Sequence, residues 1–232
     1  MPAISCSPAS AEVRPGKRWC WMSESTESFR RLSLEDLEAE LEPPEPLAQA
    51  KISSAIGLTA RRFLAHSPFA CVASASSRGA DCSPRGDGPG FATVLSDKAL
   101  ALPDRAGNNL ADTFRNVAQH PQVGLLFFVP GLSETLRVNG QGTITDDPRV
   151  LARFEPTARP VRLALVVAVE EVFFHCGKSI IRSGLWETDE TLRAAATLGR
   201  DVFALENAER PKTDLNAADL RRLLHEGYTN GL

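Results

Sequence analysis

Two short stretches concentrate the side chains and backbone freedom that anion recognition needs. The first is Cys82-Ser-Pro-Arg-Gly-Asp-Gly-Pro-Gly-Phe91, and the second is Pro103-Asp-Arg-Ala-Gly-Asn-Asn109. Arg85 and Arg105 offer forked N–H donors to phosphate oxygens, while Gly86, Gly88 and Gly107 let backbone N–H groups approach an anion with no side chain in the way. Both stretches read as loops beside predicted strands, and their chemistry is that of a phosphate-bearing ligand; two solvated turns are the alternative. Asp104 reads better as a carboxylate that orients an arginine than as a contact to an anion. Asn108, Asn109 and Asn116 fall at the start and middle of the helix predicted over 109–118. Their amides, with the free N–H groups of that helix end, can converge on one phosphate, although a structural N-cap is the commoner use of such an asparagine.

A second cationic pattern lies further on. Lys178, Arg182 and Trp186 are spaced four apart on a helix predicted from Cys176 to Gly184, which places them on one face. Stacking two like charges there costs roughly a few tenths of a kcal/mol, a cost that a bound anion would offset. A solvated cationic face near a helix C-terminus is the alternative. The four histidines, His66, His120, His175 and His225, show no metal-ligand spacing, so no metal is expected. His175 and Cys176 are adjacent and therefore point apart, which argues for an inert cysteine rather than a nucleophile with its base.

Composition narrows the class. The chain has 232 residues, enough for one domain with a full core and short extensions. With 29 acidic and 26 basic residues it offers no basic field for nucleic acid, and no apolar run approaches the roughly 20 residues that span a bilayer. Cys6, Cys20, Cys71, Cys82 and Cys176 are scattered without CxxC spacing, which fits a reducing cytoplasm. Trp19-Cys20-Trp21 is no signal-peptide core, and Met22 opens a more ordinary start, so the residues before it read as an over-long translation start.

The elements that must position these residues follow from periodicity. Ser33 with Asp36 three residues later reads as a helix N-cap, and Pro43–Pro44 ends that helix. Ile52, Ile56, Ala60, Phe63 and Leu64 predict a single helix over Leu47–Ala65. From Phe69 the period turns to β: runs begin at Phe69, Gly90, Ala99, Val123, Thr135 and Val161, separated by Gly, Pro, Asp and Ser clusters. Leu136 and Val138 alternate with Arg137 and Asn139 as in a half-buried strand, whereas Val123–Val129 is apolar on both faces, as a central strand would be. Short helices are also expected at Pro148–Phe154. The organisation expected is a disordered extension over 1–22, helices within 23–66, a barrel over 67–190 and a helical tail over 191–232.

Taken in order, Ser83-Pro-Arg-Gly-Asp-Gly-Pro-Gly-Phe91, Leu102-Pro-Asp-Arg-Ala-Gly-Asn-Asn109, Arg115 to Gly131, Glu134-Thr-Leu-Arg-Val-Asn-Gly140 and Phe174-His-Cys-Gly-Lys178 resemble the pyridoxamine 5'-phosphate oxidase-like flavoproteins, in particular a bacterial subgroup that uses FMN. The resemblance runs from about Phe63 onward. It implies a mainly β, α+β fold: a six- to seven-stranded split β-barrel, homodimeric, with each flavin at the subunit interface. It implies an FMN-dependent oxidoreductase acting on a small-molecule substrate with an electron donor or acceptor. On this basis Ser83, Arg85, Gly86, Asp87, Pro103, Asp104, Arg105, Asn108, Asn109 and Asn116 would bind flavin from one subunit, and Lys178, Arg182 and Trp186 from the other. The fold also hosts reductases that use deazaflavin and haem-binding proteins, and a flavin-binding sensor without turnover is the rival from another class. The sequence departs from the subgroup pattern at Leu110, where arginine is usual, so Arg85, Arg105 or Arg115 would have to supply that charge.

Overall fold

The computed structural model describes residues 30–105, 107, 109–154, 160–187 and 215–230. The chain divides into two compact units, Met1–Glu45 and Pro46–Leu232. In the first, helix α1 (Leu34–Glu40) begins with a reciprocal capping box: the Asp36 N–H donates to the Ser33 hydroxyl at 3.0 Å and the Ser33 N–H to the Asp36 carboxylate at 2.9 Å. Two donors that a helix end leaves open are thereby satisfied, as the Ser33–Asp36 spacing predicts.

The second unit opens with helices α2 (Pro46–Ala50) and α3 (Leu58–His66), followed by strands β1 (Phe69–Ser76), β2 (Gly79–Gly86), β3 (Thr93–Ser96) and β4 (Ala99–Pro103). Helix α4 (Asp112–Gln119), strands β5 (Gln122–Phe128) and β6 (Thr135–Thr145), helix α5 (Pro148–Leu151), strand β7 (Ala164–His175) and helices α6 (Lys178–Ser183) and α7 (Ala217–Asn230) complete it. All strand pairs are antiparallel, in the order β2-β1-β5-β6-β7-β4-β3. The fold is mainly β with flanking helices.

Strands β6 and β7 carry the sheet's curvature. β5 pairs with β6 along Leu136–Gln141, whereas β4 pairs with the opposite end of β7, along Ala164–Ala168. Between these arms the β6–β7 register shifts at Asn139/Gly140. Such a bulge increases local twist and bends the strands. A Cβ on Gly140 would sit 2.0 Å from the Ala168 carbonyl oxygen, so the close approach requires glycine. The bend lets Val72 of β1, Leu100 of β4, Phe127 of β5, Val138 of β6 and Val167 of β7 share one cluster with no side-chain surface left to water. Edge strands β2 and β3 do not pair with each other, so the barrel is split. Helix α3 contributes Phe63 and Leu64 to this core and α4 contributes Phe114 and Val117.

Several local expectations change. The single helix over Leu47–Ala65 is two, α2 and α3, because the Ser53 hydroxyl bonds to the Ala55 N–H and carbonyl and diverts the backbone. Ser53 instead pairs with Val172 of β7 in both directions, at 3.0 and 2.7 Å. The stretch around Cys82–Arg85 is not a loop but strand β2. Pro84 interrupts the usual strand signature, yet an edge strand tolerates it because no ladder bond is needed on its open side. The strand expected from Gly90 begins at Thr93, since Gly90 adopts φ 83° and makes a turn. β5 is central as expected, but only Val123, Leu125 and Phe127 are buried; Gly124, Leu126 and Phe128 on its other face are half-exposed. The 1–22 extension lies outside the described residues, as does most of the tail over 191–232 apart from α7.

Gly140→Ala should destabilise the protein by about 3 kcal/mol, the upper end for forcing extra atoms into a packed interior. Urea unfolding will measure this, and Gly131→Ala, where nothing lies within 4 Å of the added carbon, provides the comparison for glycine loss at a turn.

Candidate functional site

Alternation along β2 sorts its side chains. Asp81, Ser83 and Arg85 are half-buried on the side facing α4, and Cys82 and Pro84 are exposed on the other. The β1–β2 register sets Ser74 opposite Asp81, and α4 packs over them. The Asp81 carboxylate oxygen Oδ2 accepts from Ser83 Oγ at 3.0 Å, from Thr113 Oγ1 at 3.3 Å and from Ser74 Oγ at 3.5 Å. Ser74 Oγ in turn accepts from Asn116 Nδ2 at 3.1 Å. Thr113 is fully buried, and Asn116 and Ser74 are 3% and 6% exposed. Polar groups this deep must find partners, and this network provides them.

Arg85 leaves that network toward solvent. Its Nη2 donates to Thr113 Oγ1 at 3.0 Å and its Nη1 to the Pro84 carbonyl at 2.8 Å. A guanidinium has five N–H donors, so most of its capacity is unspent. The adjacent Asp104 carboxyl is pushed above the ordinary aspartate range, chiefly by the protein atoms crowding it, with the Arg85 charge opposing the shift. Arg105 ion-pairs with Asp87, Nε to Oδ2 at 2.5 Å, and Asp87 also accepts the Gly88 N–H at 2.7 Å. The carboxylate expected to orient an arginine is therefore found in Asp87 acting on Arg105, while Asp104 lies within the electrostatic reach of Arg85.

The connection between β4 and α4 completes the cluster. Asn109 and Ala111 both take left-handed backbone conformations, φ 61° and 49°, so α4 starts at Asp112 rather than at Asn109. Ala111, at its N-cap position, has no side chain that could cap the helix, and the N–H groups of an uncapped helix start are donors suited to an anion. Leu110 is 59% exposed, and Arg115 donates from Nη1 to its carbonyl oxygen, which brings the Arg115 guanidinium to the backbone of this connection.

Of the predicted residues, Ser83 bonds Asp81 and Arg85 bonds Thr113 of α4, Asp104 feels the charge of Arg85, Asp87 pairs with Arg105, and Asn109 lies in the connection that leads into α4. Gly86 lies close to the backbone at Pro68, since an added Cβ would be 3.2 Å from the Pro68 carbonyl oxygen. Pro103 is buried at the end of β4, paired with Ala164, and Asn116 is turned inward to Ser74. Asn108 lies outside the described residues. Lys178 and Arg182 are exposed on α6, and Trp186 falls beyond the helix, which ends at Gly184 with a left-handed cap; its indole N–H donates to the Leu132 carbonyl at 2.6 Å. Asp81, Thr113 and Ser74 were not singled out from sequence. Their importance depends on strand register, for which a single sequence carries no signal at this polar edge.

Two clefts border the barrel. One of about 670 Å³ lies between α3 and the β5–β6 connection, and none of the predicted site residues line it. The other, about 350 Å³, opens on the outer sheet face beside Cys71, Cys82 and Arg137. Among the described residues no three His, Cys, Asp or Glu side chains gather as a metal site, and no helix is long and apolar enough to cross a membrane.

Residues 58–176 match the sequence family described as Pyridoxamine 5'-phosphate oxidase. No curated protein matches the chain. Among solved structures, HupZ of Group A Streptococcus is 13% identical over 51% of this chain and 93% of its own, with a TM-score of 0.41. A Lactobacillus delbrueckii protein assigned as a pyridoxamine 5'-phosphate oxidase is 18% identical over 52% and 95%, with a TM-score of 0.41. A Clostridium acetobutylicum protein of the pyridoxinephosphate oxidase family, related to general stress protein 26, is 11% identical over 51% and 87%, with a TM-score of 0.40.

Thr113→Val keeps the shape of the side chain but removes the hydroxyl joining Arg85 to Asp81. It should cost about 1–3 kcal/mol in chemical denaturation, the penalty for leaving part-buried polar groups without a partner. For Asp104, a carboxyl raised on folding favours the folded state below the unfolded value of 3.8 and loses that contribution as pH climbs through the folded value. Asp104→Asn should therefore be more stable than the parent at neutral pH, with the difference closing below pH 3.8, as followed by denaturation at a series of pH values.

Proposed function

The chain belongs to the pyridoxamine 5'-phosphate oxidase family, and from that premise we propose that it binds FMN and acts as an FMN-dependent oxidoreductase on a small molecule. The observation that carries the reading is Arg85: anchored through Thr113 to the first turn of α4, it retains unused donors beside an uncapped helix N-terminus. Charge-assisted donors from a guanidinium and backbone N–H groups at a helix start are the chemistry that holds a phosphate monoester. Arg105 and Arg115 add positive charge from the flanking loop and helix.

In this reading Arg85 and the α4 N-terminus hold the phosphate, and Asp87 keeps Arg105 in place before the ligand arrives. FMN supplies the electron-transfer chemistry when bound, so no catalytic acid, base or nucleophile is required of the chain. Asp81 and Thr113 fix the Arg85 guanidinium, which reduces the side-chain entropy lost on binding. Arg85 and Arg105 are half-buried at this cluster, and in this reading a second copy of the chain covers the flavin ring. We place the second copy's α6, with Lys178 and Arg182, over that ring. The result is a homodimer with one FMN per chain.

Arg85→Ala should weaken FMN roughly ten- to a hundredfold, corresponding to about 1.5–3 kcal/mol for charge-assisted bonds. Riboflavin, which has no phosphate, should lose much less. Fluorescence titration of the apoprotein with both ligands measures this, with circular dichroism to confirm folding. An unchanged FMN dissociation constant would overturn the assignment. Flavin binding without substrate-dependent reduction or reoxidation in the absorbance spectrum would favour a sensor over an enzyme.

A further inference from the structure

The cleft of about 670 Å³ between α3 and the β5–β6 connection has the volume of a small-molecule site. Its floor is aromatic. Phe63 of α3 and Phe174 of β7 meet edge to face, with ring centroids 5.4 Å apart and planes at 76°, and both line the cleft while packing against the core. Leu132 of the connection adds an apolar wall that is 47% exposed. A leucine left in water beside two rings is surface that gains from being covered.

The rim is charged, and its two walls differ in sign. Thr59, Arg62, Phe63 and His66 recur at helical spacing, so one face of α3 turns toward the cleft. Arg62 supplies a guanidinium from that wall. Glu134, at the end of the β5–β6 connection, supplies a carboxylate from the other. Neither side chain has a hydrogen bond or ion pair among the described residues. A cation and a carboxylate that border one apolar recess without pairing to each other complement a ligand that carries both charges on an apolar body.

The wall carrying Glu134 is held from behind. Trp186 donates its indole N–H to the Leu132 carbonyl at 2.6 Å, and a Cβ on Gly177 would lie 2.4 Å from the Ser133 Cβ, so the chain around α6 packs tightly against this connection. A wall fixed in advance lowers the ordering cost of binding. We propose that this cleft binds a free α-amino acid with a large apolar side chain. The side chain covers Phe63, Leu132 and Phe174, the α-carboxylate pairs with Arg62 and the α-ammonium with Glu134. A ligand with only one of these charges leaves one wall unanswered and meets a like charge on the other. Arg62, Glu134 and the aromatic floor take no part in the FMN assignment, so either reading can fail without the other.

The test is isothermal titration calorimetry on the full chain as purified, with L-phenylalanine as the probe. Phenethylamine lacks its carboxylate, 3-phenylpropionate lacks its ammonium, and L-alanine keeps both charges without the apolar body. L-phenylalanine should bind once per chain, and each single-charge analogue at least about fivefold more weakly, the upper range for one solvent-exposed ion pair. L-alanine should bind more weakly still. Arg62→Gln should weaken L-phenylalanine to the phenethylamine level without weakening phenethylamine, and Glu134→Gln should do the same relative to 3-phenylpropionate, with circular dichroism to confirm folding. No binding of L-phenylalanine, equal affinity for all three phenyl compounds, or unchanged affinity in the folded variants would overturn the site. The analogue series on the parent protein decides the matter even where a variant fails to fold.

Discussion

The close approach of β6 and β7 at Gly140 is the constraint on which the rest of the molecule depends. With 2.0 Å between a would-be Cβ and the Ala168 carbonyl, only glycine lets the two longest strands shift register there. The shift bends both strands. One arm of the sheet can then carry β5, β1 and β2 while the other carries β4 and β3, with a single apolar cluster between them. Gly142, two residues on, fits the same pattern: an added Cβ would meet Leu165 and Val117 side chains at 2.9 Å, so α4 sits close to the sheet only because nothing projects from that position.

That seating of α4 is what turns a polar edge strand into a candidate site. Edge strands present unpaired groups and rarely carry buried carboxylates without partners. Here Asp81 is answered by Ser74 from β1, Ser83 from its own strand and Thr113 from α4. The network works as a hinge between fold and chemistry. Its inner members, Asn116 and Ser74, secure the helix against the sheet, and its outer member, Thr113, holds the half-buried Arg85 guanidinium. Opposite charges are closely matched in this region, with Asp87 on Arg105 and Asp112 on Arg78. Arg85, by contrast, has no ion pair among the described residues, and on the proposed reading it is the arginine that a phosphate would engage with the least competition.

The two faces of the sheet differ in kind. Toward the core, Val72, Leu125, Phe127, Leu136 and Val138 leave almost nothing to water. The opposite face holds Cys71, Leu126, Arg137, Asn139 and Phe173 at intermediate exposure, too apolar for an ordinary solvated surface and too charged for a core. Lys51 and Arg137 use the Phe173 ring as a shared electrostatic platform. A cation over an aromatic face is worth roughly 0.5–2 kcal/mol, which helps explain how two of them persist there without a carboxylate.

The sequence by itself determined the class of fold, because its signals are local. The alternation of Leu136 and Val138 with Arg137 and Asn139, the apolar run of β5 and the Ser33–Asp36 cap all express the geometry of one element, and all are found where expected. It also singled out Arg85, Arg105 and the glycine-rich turns as candidates for anion binding, through residue type alone. It failed where long-range pairing overrules local preference: Ser53 leaves a helical pattern to bond β7, Pro84 sits in a strand because that strand is an edge, and Trp186 leaves the helical face to reach Leu132. Which carboxylate holds which arginine was decided only by the tertiary structure. Asp81, Thr113 and Ser74 are far apart in sequence and meet through strand register and helix packing. Burial, not spacing, left His175 Nε2 without a hydrogen-bond partner among the described residues, because the energy of a polar group depends on what surrounds it in space.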